Sequence, residues 1–335
     1  MDLEQLRFRA RVLRRIREFF WDRDYLELDT PALSKTLIPE TCLEVFKTEY
    51  VIPDGSGAKP LYLVPSPEIY IKRLLARRPV SVFQLSKCYR NVESCGRIHS
   101  PEFTMLEYYT MGATYRESAA LTEALIASLL PDVPEHGEDP FSCLRPPFTR
   151  LSMDEAFYRY AGFYLSDSPD AVQLAERAAA LGLYPQEPEA LFLWPWDDLY
   201  ELLFVQCVEP YLPQNKPVFL FDYPAQVPCL AKDVPPAAGG EPLWKERWEL
   251  YINGIETANC YSEETDPHKI KAYFDRESAE KAAHARVPHA VDKDYWKQFA
   301  SFPACSGTAL GADRLIAALA GCKTIEPYLP FPLEL

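Results

Sequence analysis

The chain has 335 residues, of which 48% are hydrophobic and 13% aromatic, so it has enough apolar side chains to bury the core of one large domain or two ordinary ones. Its formal net charge is −14 at pH 7. Because neutralising phosphates requires basic surface, this charge argues against a nucleic-acid-binding protein. It is compatible with a basic protein partner or a cationic small substrate, and also with acidity that only aids solubility.

The cysteines and the distribution of apolar residues indicate the compartment. There are nine cysteines, an odd number without any Cys-x-x-Cys pair, which favours a reducing environment over a disulfide framework or a zinc site. The N-terminus has no apolar signal segment, and the chain contains no apolar run of about 18 residues, the length a membrane span needs. We therefore expect a soluble, cytoplasmic protein that does not associate with a membrane.

Apolar spacing predicts helices and short strands in the first half of the chain. Leu6, Ala10, Leu13, Ile16 and Phe20 recur at helical spacing, and the arginines around them form either a solvated face or a basic face for RNA. Helices are predicted over 3–22, 69–77 and 115–130. Strands are predicted over 25–28, 45–52, 61–64, 81–89 and 103–110, with a proline-rich connector over 131–147.

In the second half, the capping box Ser152-x-x-Glu155 predicts a helix from Met153. Helical pattern also covers most of 168–212 and all of 267–284, and an apolar strand is predicted over 217–223. Residues 248–252 and 255–259 flank an Asn-Gly pair, which indicates a hairpin, and 307–312 lead into a helix that ends at Gly321. These scattered, hairpin-joined strands predict an α+β fold, an antiparallel sheet flanked by helices, rather than a doubly wound parallel sheet.

The hairpin brings two carboxylates together. A two-residue turn pairs Ile252 with Ile255 and Tyr251 with Glu256, and a regular strand then pairs Glu249 with Ala258. Glu249 and Glu256 would share one face, roughly 7 Å apart. Such carboxylates repel unless a cation bridges them, and Mg²⁺ on a triphosphate takes one or two carboxylates plus phosphate oxygens. The alternative is a solvated strand face.

The loop at 89–104 carries phosphate- and base-binding side chains between two strands. Arg90 is placed to clamp an α-phosphate, His99 to reach the outer phosphates, and Phe103 to stack on a purine that has an arginine on its other face. Considered singly, each residue also has an ordinary structural explanation: Phe103 would pack in a core, and Arg90 would form an ion pair at the surface. Gly307 and Gly311, ahead of Asp313-Arg314, add weak support for close approach of a ligand to the backbone.

Taken together, these segments resemble the catalytic domain of class II aminoacyl-tRNA synthetases. Residues 24–31, 88–107 and 307–315 are similar to its three motifs, in order. Ser66-Pro67-Glu68, His99-x-Pro-Glu-Phe-Thr-Met, Asp222-Tyr223-Pro224-Ala225 and Asn259-Cys260-Tyr261-Ser262-Glu263 resemble lysyl-tRNA synthetases. Those enzymes carry an anticodon-binding domain before the catalytic domain, whereas this resemblance begins near residue 6. The chain therefore resembles the elongation factor P–(R)-β-lysine ligase family most.

The resemblance implies site residues, which are set out by role. The catalytic residues are Arg90, Glu256 and Arg314. ATP is bound by Arg90, Asn91, Glu93, His99, Ser100, Phe103, Glu256, Thr257, Gly311 and Arg314, and Mg²⁺ by Glu249 and Glu256. The amino acid is bound by Ser66, Glu68, Tyr109, Asn259, Glu263 and Ala309. Phe103 and Arg314 sandwich the adenine, and Tyr109, Asn259 and Glu263 hold the terminal ammonium while Glu68 takes the other amine.

The resemblance also implies the reaction and its partners. We expect ATP-dependent activation of (R)-β-lysine as an adenylate and its transfer to a lysine ε-amine of elongation factor P, by a homodimer that does not bind tRNA stably. Residues 1–335 would form a single catalytic domain with a helical insertion at about 112–212 and no anticodon-binding domain. The alternatives are a truncated synthetase-like enzyme that activates α-lysine or another cationic amino acid for a different acceptor, and a non-catalytic regulatory paralogue.

Four positions depart from the family pattern or refine it. Alanine at 309, where lysyl-tRNA synthetases have glycine, would crowd an α-amino group and leave room for a β-amino group, unless the change is neutral drift. Glu93 lies three residues after Arg90, so the loop holds one extra residue. Ser100 and Thr257 replace an asparagine and a leucine. A straight strand would place Asn259 on the face opposite Glu256, so we expect either a bulge near Ala258 or separate walls for the metal and the ammonium.

Overall fold

A computed structural model describes residues 2–131, 139, 141–184, 186–236 and 240–332. Its helices are α1 (Leu3–Trp21), α2 (Glu68–Leu75), α3 (Tyr115–Leu129), α4 (Met153–Ala161), α5 (Ala171–Ala180), α6 (Trp196–Leu203), α7 (Pro267–His284) and α8 (Ala312–Leu319). Its strands are β1 (Leu26–Glu27), β2 (Leu33–Ser34), β3 (Lys47–Val51), β4 (Ala58–Leu63), β5 (Val82–Tyr89), β6 (Glu102–Met111), β7 (Thr149–Ser152), β8 (Val218–Pro224), β9 (Trp244–Ile252), β10 (Ile255–Ser262) and β11 (Cys305–Gly311). Residues 132–138 and 140 of the predicted proline-rich connector lie outside the described residues.

An eight-stranded sheet in the order β1-β5-β6-β11-β10-β9-β8-β7 forms the centre of the fold. Its six inner strands are antiparallel, as predicted, whereas the edge strands β1 and β7 pair in parallel with β5 and β8. Both edge strands are short and are separated from their partner strands by long stretches of chain, so their direction could not be predicted from hairpin signals. A separate sheet in the order β2-β4-β3 lies before α2. The predicted α+β class is confirmed.

One face of the large sheet is covered by α1 and α3. Ile16 and Phe20 of α1 are fully buried and pack with Phe83, Leu106 and Tyr108 of the sheet in the largest core cluster. Since successive side chains of a strand point to opposite faces, Glu107 and Tyr109 of β6 lie on the other face. That face carries the cavity described below.

The hairpin of β9 and β10 contains a bulge. The pairs Ile252–Ile255 and Tyr251–Glu256 form as predicted, but the register shifts between Glu256 and Ala258. Glu249 therefore lies opposite Asn259, and the prediction that it pairs with Ala258 was wrong. A bulge adds one residue to one strand, which re-aims the side chains that follow. Asn259 consequently lines the same cavity as Glu249 and Glu256.

The segment 112–212 is mainly helical, as expected, but contains the edge strand β7 and has a second hydrophobic core. The capping box predicted at Ser152 and Glu155 is present, and α4 begins at Met153. Phe157, Leu174, Leu199 and Leu203 are completely buried in this core. None of the helices among the described residues is long and apolar enough to cross a membrane. All nine cysteines lie in the described ranges as free thiols.

Candidate active site

A cavity of about 1220 Å³ lies on the open face of the sheet. Its walls come from β6, β9, β10 and β11, from α2, α6 and α7, and from the loops at 40–44 and 93–100. Every site residue that the sequence indicated lines it except Asn91. Residues up to about 250 positions apart in the sequence thus meet in one space. Their individual roles remain predictions.

Asn91 belongs to the cavity's supporting structure. Its side-chain amide donates to the backbone carbonyl of Val45 at 3.3 Å, and its side-chain oxygen accepts from the backbone N–H of Val92 at 2.9 Å. Val92 has a φ of 59°, a left-handed conformation that a β-branched residue rarely adopts. The loop therefore makes a strained turn directly after Arg90, and Asn91 ties that turn to the segment just before β3.

We call the part of the cavity around Arg90, Phe103, Glu256 and Arg314 the arginine end. The Arg90 guanidinium lies 5.2 Å from the Phe103 ring centroid, and its buried Nε has no hydrogen-bond partner within the described part of the chain. The Arg314 guanidinium donates to the backbone carbonyl of Glu256 at 2.5 Å and to that of Ile98 at 3.2 Å. Arg314 thus joins the hairpin to the loop that contains His99.

Behind Phe103 and Arg314 lies a buried ion pair. Arg9 of α1 donates to Asp313 Oδ1 at 2.5 Å and to Thr104 Oγ1 at 2.7 Å, and the Thr104 backbone N–H donates to Asp313 Oδ2 at 2.7 Å. Asp313 precedes Arg314 and Thr104 follows Phe103 in the sequence. The network therefore fixes the start of α8, which carries Arg314, and the start of β6, which carries Phe103.

Glu249 and Glu256 are the carboxylates that would bind a divalent cation. Arg247 and the Tyr251 hydroxyl donate to the two oxygens of Glu249 at 2.6 and 2.8 Å. Burial, and then the charge of Glu249, raises the pKa of Glu256 to about 7, and the nearest cation is Arg314 at 4.0 Å. A second positive charge would relieve this repulsion, so the pair fits Mg²⁺ brought in by a triphosphate. No cluster of three or more acidic, histidine or cysteine metal ligands occurs within the described ranges.

The opposite part of the cavity, around Ser66, Glu68, Lys72, Glu107 and Glu263, is the carboxylate end. The Lys72 ammonium is 1% exposed and lies 2.5 Å from Glu68 Oε1 and 2.6 Å from Glu263 Oε2. Ser66 and Tyr109 donate to the two oxygens of Glu107 at 2.6 and 2.9 Å. Glu68 and Glu263 therefore share one buried ammonium, and with Glu107 beside them the site has an excess of negative charge when all three carboxylates are ionised.

The proton affinities at this end follow from that excess. Burial, and then the charge of Glu68, raises the pKa of Glu107 to about 8. Burial also raises the pKa of Glu263 to about 7, although Lys72 opposes the shift. The Asn259 side-chain oxygen is buried in the same wall and has no partner in the described structure. A ligand ammonium would supply both a positive charge and a donor, so this end fits a cationic amine.

Gly307 and Gly311 differ in the space that a side chain would have at each position. A Cβ on Gly307 would collide with Glu263 Oε1 and Tyr109 Cε1, so glycine is needed there for these side chains to pack. A Cβ on Gly311 would make only ordinary contacts, the nearest 3.5 Å from Arg314 Cδ, which is consistent with space reserved for a ligand. Ala309 lies between them on β11, opposite Glu107 on one side and Asn259 on the other. Its methyl group therefore projects into the wall of the carboxylate end.

Among the cavity-region residues that the sequence did not indicate are four charged ones, Glu40, Lys72, Glu107 and Arg247. Lys72 was detectable in part, because it follows Glu68 by four residues on a predicted helix, where opposite charges meet. Glu107 alternates with Tyr109 on a predicted strand, which places both on one face. Arg247 and Glu40 carry no comparable signal, since each reaches the cavity through tertiary packing.

A family model for tRNA synthetases class II (D, K and N) matches residues 3–335. Among curated proteins, the chain is 35% identical to the elongation factor P–(R)-β-lysine ligase of Vibrio vulnificus (strain YJ016), over all of this chain and 97% of that protein. It is 36% identical to the ligases of the same name from Vibrio cholerae serotype O1, covering 99% of this chain and 96% of that protein, and from Klebsiella pneumoniae, covering 97% and 94%.

Proposed function

The chain belongs to the class II tRNA synthetase family and, within it, to the family of the elongation factor P–(R)-β-lysine ligases, and we propose that it activates (R)-β-lysine with ATP and transfers it to a lysine of elongation factor P. It is an ATP-dependent amino acid ligase by family. The substrate and the acceptor are taken from the names of the relatives. The same names give no support to a truncated lysyl-tRNA synthetase.

One observation supports the proposal most directly. The carboxylate end and the arginine end lie in a single cavity, with Glu68, Glu107 and Glu263 at one end and Arg90 and Arg314 at the other. A diamino acid has two ammonium groups and one carboxylate. Its amines suit the carboxylate end, which leaves its carboxylate directed toward the end that carries the phosphate-binding arginine. This is the orientation that adenylate formation requires.

In the first half-reaction the amino acid carboxylate attacks the α-phosphorus of ATP, and pyrophosphate leaves. Arg90 binds the α-phosphate and offsets the charge that develops there. Phe103 and Arg314 enclose the adenine, and His99 contacts the outer phosphates. Burial, together with Arg314, lowers the pKa of His99, so it acts as a neutral hydrogen-bonding group near neutral pH. Holding both reactants in one cavity supplies most of the rate enhancement.

Glu249 and Glu256 would hold Mg²⁺, which when bound neutralises charge on the triphosphate. Arg247 and Tyr251 keep the Glu249 carboxylate in a fixed orientation toward the cavity. In the second half-reaction an acceptor lysine amine attacks the adenylate carbonyl and AMP leaves. The negative net charge of the chain favours a basic acceptor segment and disfavours stable tRNA binding.

The remaining expectations are part of the same proposal. We propose a single catalytic domain, a homodimer and a cytoplasmic location; the free thiols of all nine cysteines support a reducing compartment. Ala309 favours the β-amino acid, because its methyl group narrows the wall between Glu107 and Asn259.

ATP–pyrophosphate exchange tests the first half-reaction. The full chain is assayed with (R)-β-lysine, (S)-β-lysine, α-lysine and ornithine side by side, and then incubated with elongation factor P, whose mass is measured. We expect preferred exchange with (R)-β-lysine and a mass increase of one β-lysyl group. Preference for α-lysine would favour the synthetase-like alternative, and absence of exchange with all four amino acids would refute the proposed activity.

A further inference from the structure

A carboxylate that the family resemblance did not indicate lies in the cavity wall. Glu40 belongs to the loop between β2 and β3, and it is half-buried. The loop is anchored to α7, because Thr41 Oγ1 donates to Glu277 Oε2 at 2.8 Å and the Lys281 ammonium donates to the backbone carbonyl of Glu40 at 2.7 Å. The backbone of Glu40 is therefore fixed, while its carboxylate makes no hydrogen bond or ion pair to any residue in the described ranges.

Five of the other carboxylates at the cavity are already engaged. Glu68 and Glu263 share Lys72, and Glu107 accepts from Ser66 and Tyr109. Glu249 accepts from Arg247 and Tyr251, and Glu44 accepts from two backbone N–H groups at 2.8 and 3.0 Å. Glu40 differs from all of these because its oxygens remain free to accept a proton.

Glu40 lines the cavity and interacts electrostatically with residues of both of its ends. The charged groups close enough to change its proton affinity are Glu68 and Lys72 of α2, Arg90 at the end of β5, and Lys281 of α7. Glu68 and Lys72 belong to the carboxylate end, and Arg90 to the arginine end. An amino acid whose amine is held by Glu68 and whose acyl phosphate is held by Arg90 has its carbonyl carbon between these groups. Glu40 therefore borders the position where the second half-reaction takes place.

The second half-reaction needs a base. An acceptor lysine arrives as an ammonium ion, which has no lone pair and must lose a proton before its nitrogen can attack. Burial, and then the nearby charge of Glu68, raises the pKa of Glu40 to about 7, so near neutral pH a large share of it is ionised and yet basic enough to accept a proton.

We propose that Glu40 is the general base of the transfer step, an inference that rests on the proposed acyl transfer to a lysine amine. The Glu40 carboxylate takes one proton from the acceptor ammonium. The neutral nitrogen attacks the adenylate carbonyl, a C–N bond forms, and the bond from the carbonyl carbon to the phosphate oxygen breaks. AMP departs with the electron pair, and the second nitrogen proton leaves to the phosphate of AMP or to solvent.

Single-turnover transfer from the preformed enzyme-bound adenylate tests this role in Glu40→Gln. The acceptors are elongation factor P, Nα-acetyl-lysine methylamide, and hydroxylamine, which is largely neutral at pH 7 and needs no base. We expect the variant to keep pyrophosphate exchange and hydroxamate formation, and to transfer to both lysine amines about 100-fold more slowly. Glu40→Asp should recover part of the rate. Glu280→Gln, a change at the exposed cavity rim, serves as the matched control and should transfer normally.

The pH dependence separates a base from a residue that only shapes the site. The deficit of Glu40→Gln should shrink as pH rises, because a growing share of the acceptor amine is already neutral. An unchanged transfer rate in the variant would overturn the proposal, as would equal loss with hydroxylamine or loss of pyrophosphate exchange. If the unaltered enzyme modifies the small lysine amine but not elongation factor P, the proposed acceptor is wrong and the role of Glu40 is still decided on the small amine. Failure with every lysine amine would overturn both.

Discussion

The two ends of the cavity are held by different kinds of contact. At the carboxylate end, side chains from α2 and β6, from Ser66 just before α2 and from Glu263 just after β10 bind one another, with Lys72 enclosed among them. At the arginine end, Arg314 is held by backbone carbonyls, while Arg90 lies over Phe103 next to a loop with an unusual turn. The carboxylate end is therefore built mainly on regular elements, whereas part of the arginine end depends on a loop.

The difference has a physical consequence. A buried charge cluster tolerates little change, because removing one member leaves the others unneutralised in a medium of low polarity. Side chains directed into an open cavity can be replaced with less effect on folding. We expect substitutions at the carboxylate end to reduce both stability and amino acid selection, and substitutions in the 91–100 loop to alter local strain with little effect on which amino acid is used.

The largest effect is expected from Lys72→Met. The change leaves Glu68 and Glu263 buried without their shared ammonium, which should lower the free energy of unfolding by about 3–5 kcal/mol and abolish activation of the amino acid. Urea denaturation and pyrophosphate exchange measure the two effects. Arg73→Met is the matched control, because Arg73 pairs with Asp292 while about one third of each side chain is exposed, and it should cost about 1 kcal/mol or less. Equal losses in the two variants would contradict the special position of Lys72.

The carboxylate end should also make stability depend on pH. The pKa of Glu107 is raised from 4.5 to about 8 on folding, so the folded state binds its proton more tightly. The stabilisation is fully present below pH 4.5 and is lost as pH rises toward 8, so the free energy of unfolding should fall across this window. Glu107→Gln should flatten that slope, whereas Glu102→Gln, on the exposed part of the same strand, should not.

The measurement is urea denaturation at several pH values between 5 and 9, with and without a diamino acid. A bound diamine offsets the charge of the ionised carboxylates, so it should stabilise the protein more at pH 8 than at pH 6. A stability profile that is the same in Glu107→Gln and in the unaltered chain would show that Glu107 does not account for the slope.

A smaller and more specific effect is expected from Ala309→Gly. Removing this methyl group from the cavity wall should raise kcat/KM for α-lysine relative to (R)-β-lysine by about tenfold. This is within the range of substrate discrimination that a single methyl group provides. Ala119→Gly removes a methyl group from the face of α3 that packs into the core, so it should lower stability without altering the ratio. An unchanged ratio in Ala309→Gly would remove the basis for β-amino acid selection by this residue.

The smallest effect is expected at the arginine end, from Val92→Gly. Valine at a φ of 59° is strained, and its side chain is about half exposed. Glycine removes this strain but has more conformational freedom in the unfolded chain, so the net effect should be a stabilisation of the fold by about 1 kcal/mol. The urea midpoint measures this change, and KM for ATP should change little. Val51→Gly, at an exposed extended position, is the control and should destabilise. A loss of stability in Val92→Gly would indicate that the valine side chain makes a contact that outweighs the strain.

Much of the fold was predictable because local patterns encode it. The α1 and α7 helices begin and end close to the predicted residues, and α4 begins at the predicted residue, since apolar spacing and capping side chains act within a few positions of each other. The turn at Asn253-Gly254 likewise fixed the first two pairs of the hairpin. The register beyond them was wrong, because the bulge at Thr257 depends on how β10 packs between β9 and β11.

The sequence by itself determined the chemical inventory of this protein: the arginines, the carboxylate pair, the glycines of β11 and the order of the segments that carry them. Only the tertiary structure decided which charged residues are buried together. Arg9 lies in a helix with an exposed basic face but pairs with Asp313, about 300 residues away. Lys72 is buried behind the cavity wall, where it pairs with Glu68 and Glu263, and Glu40 lines the cavity. The energy of a buried charge depends on partners distant in sequence, so no local pattern reveals it.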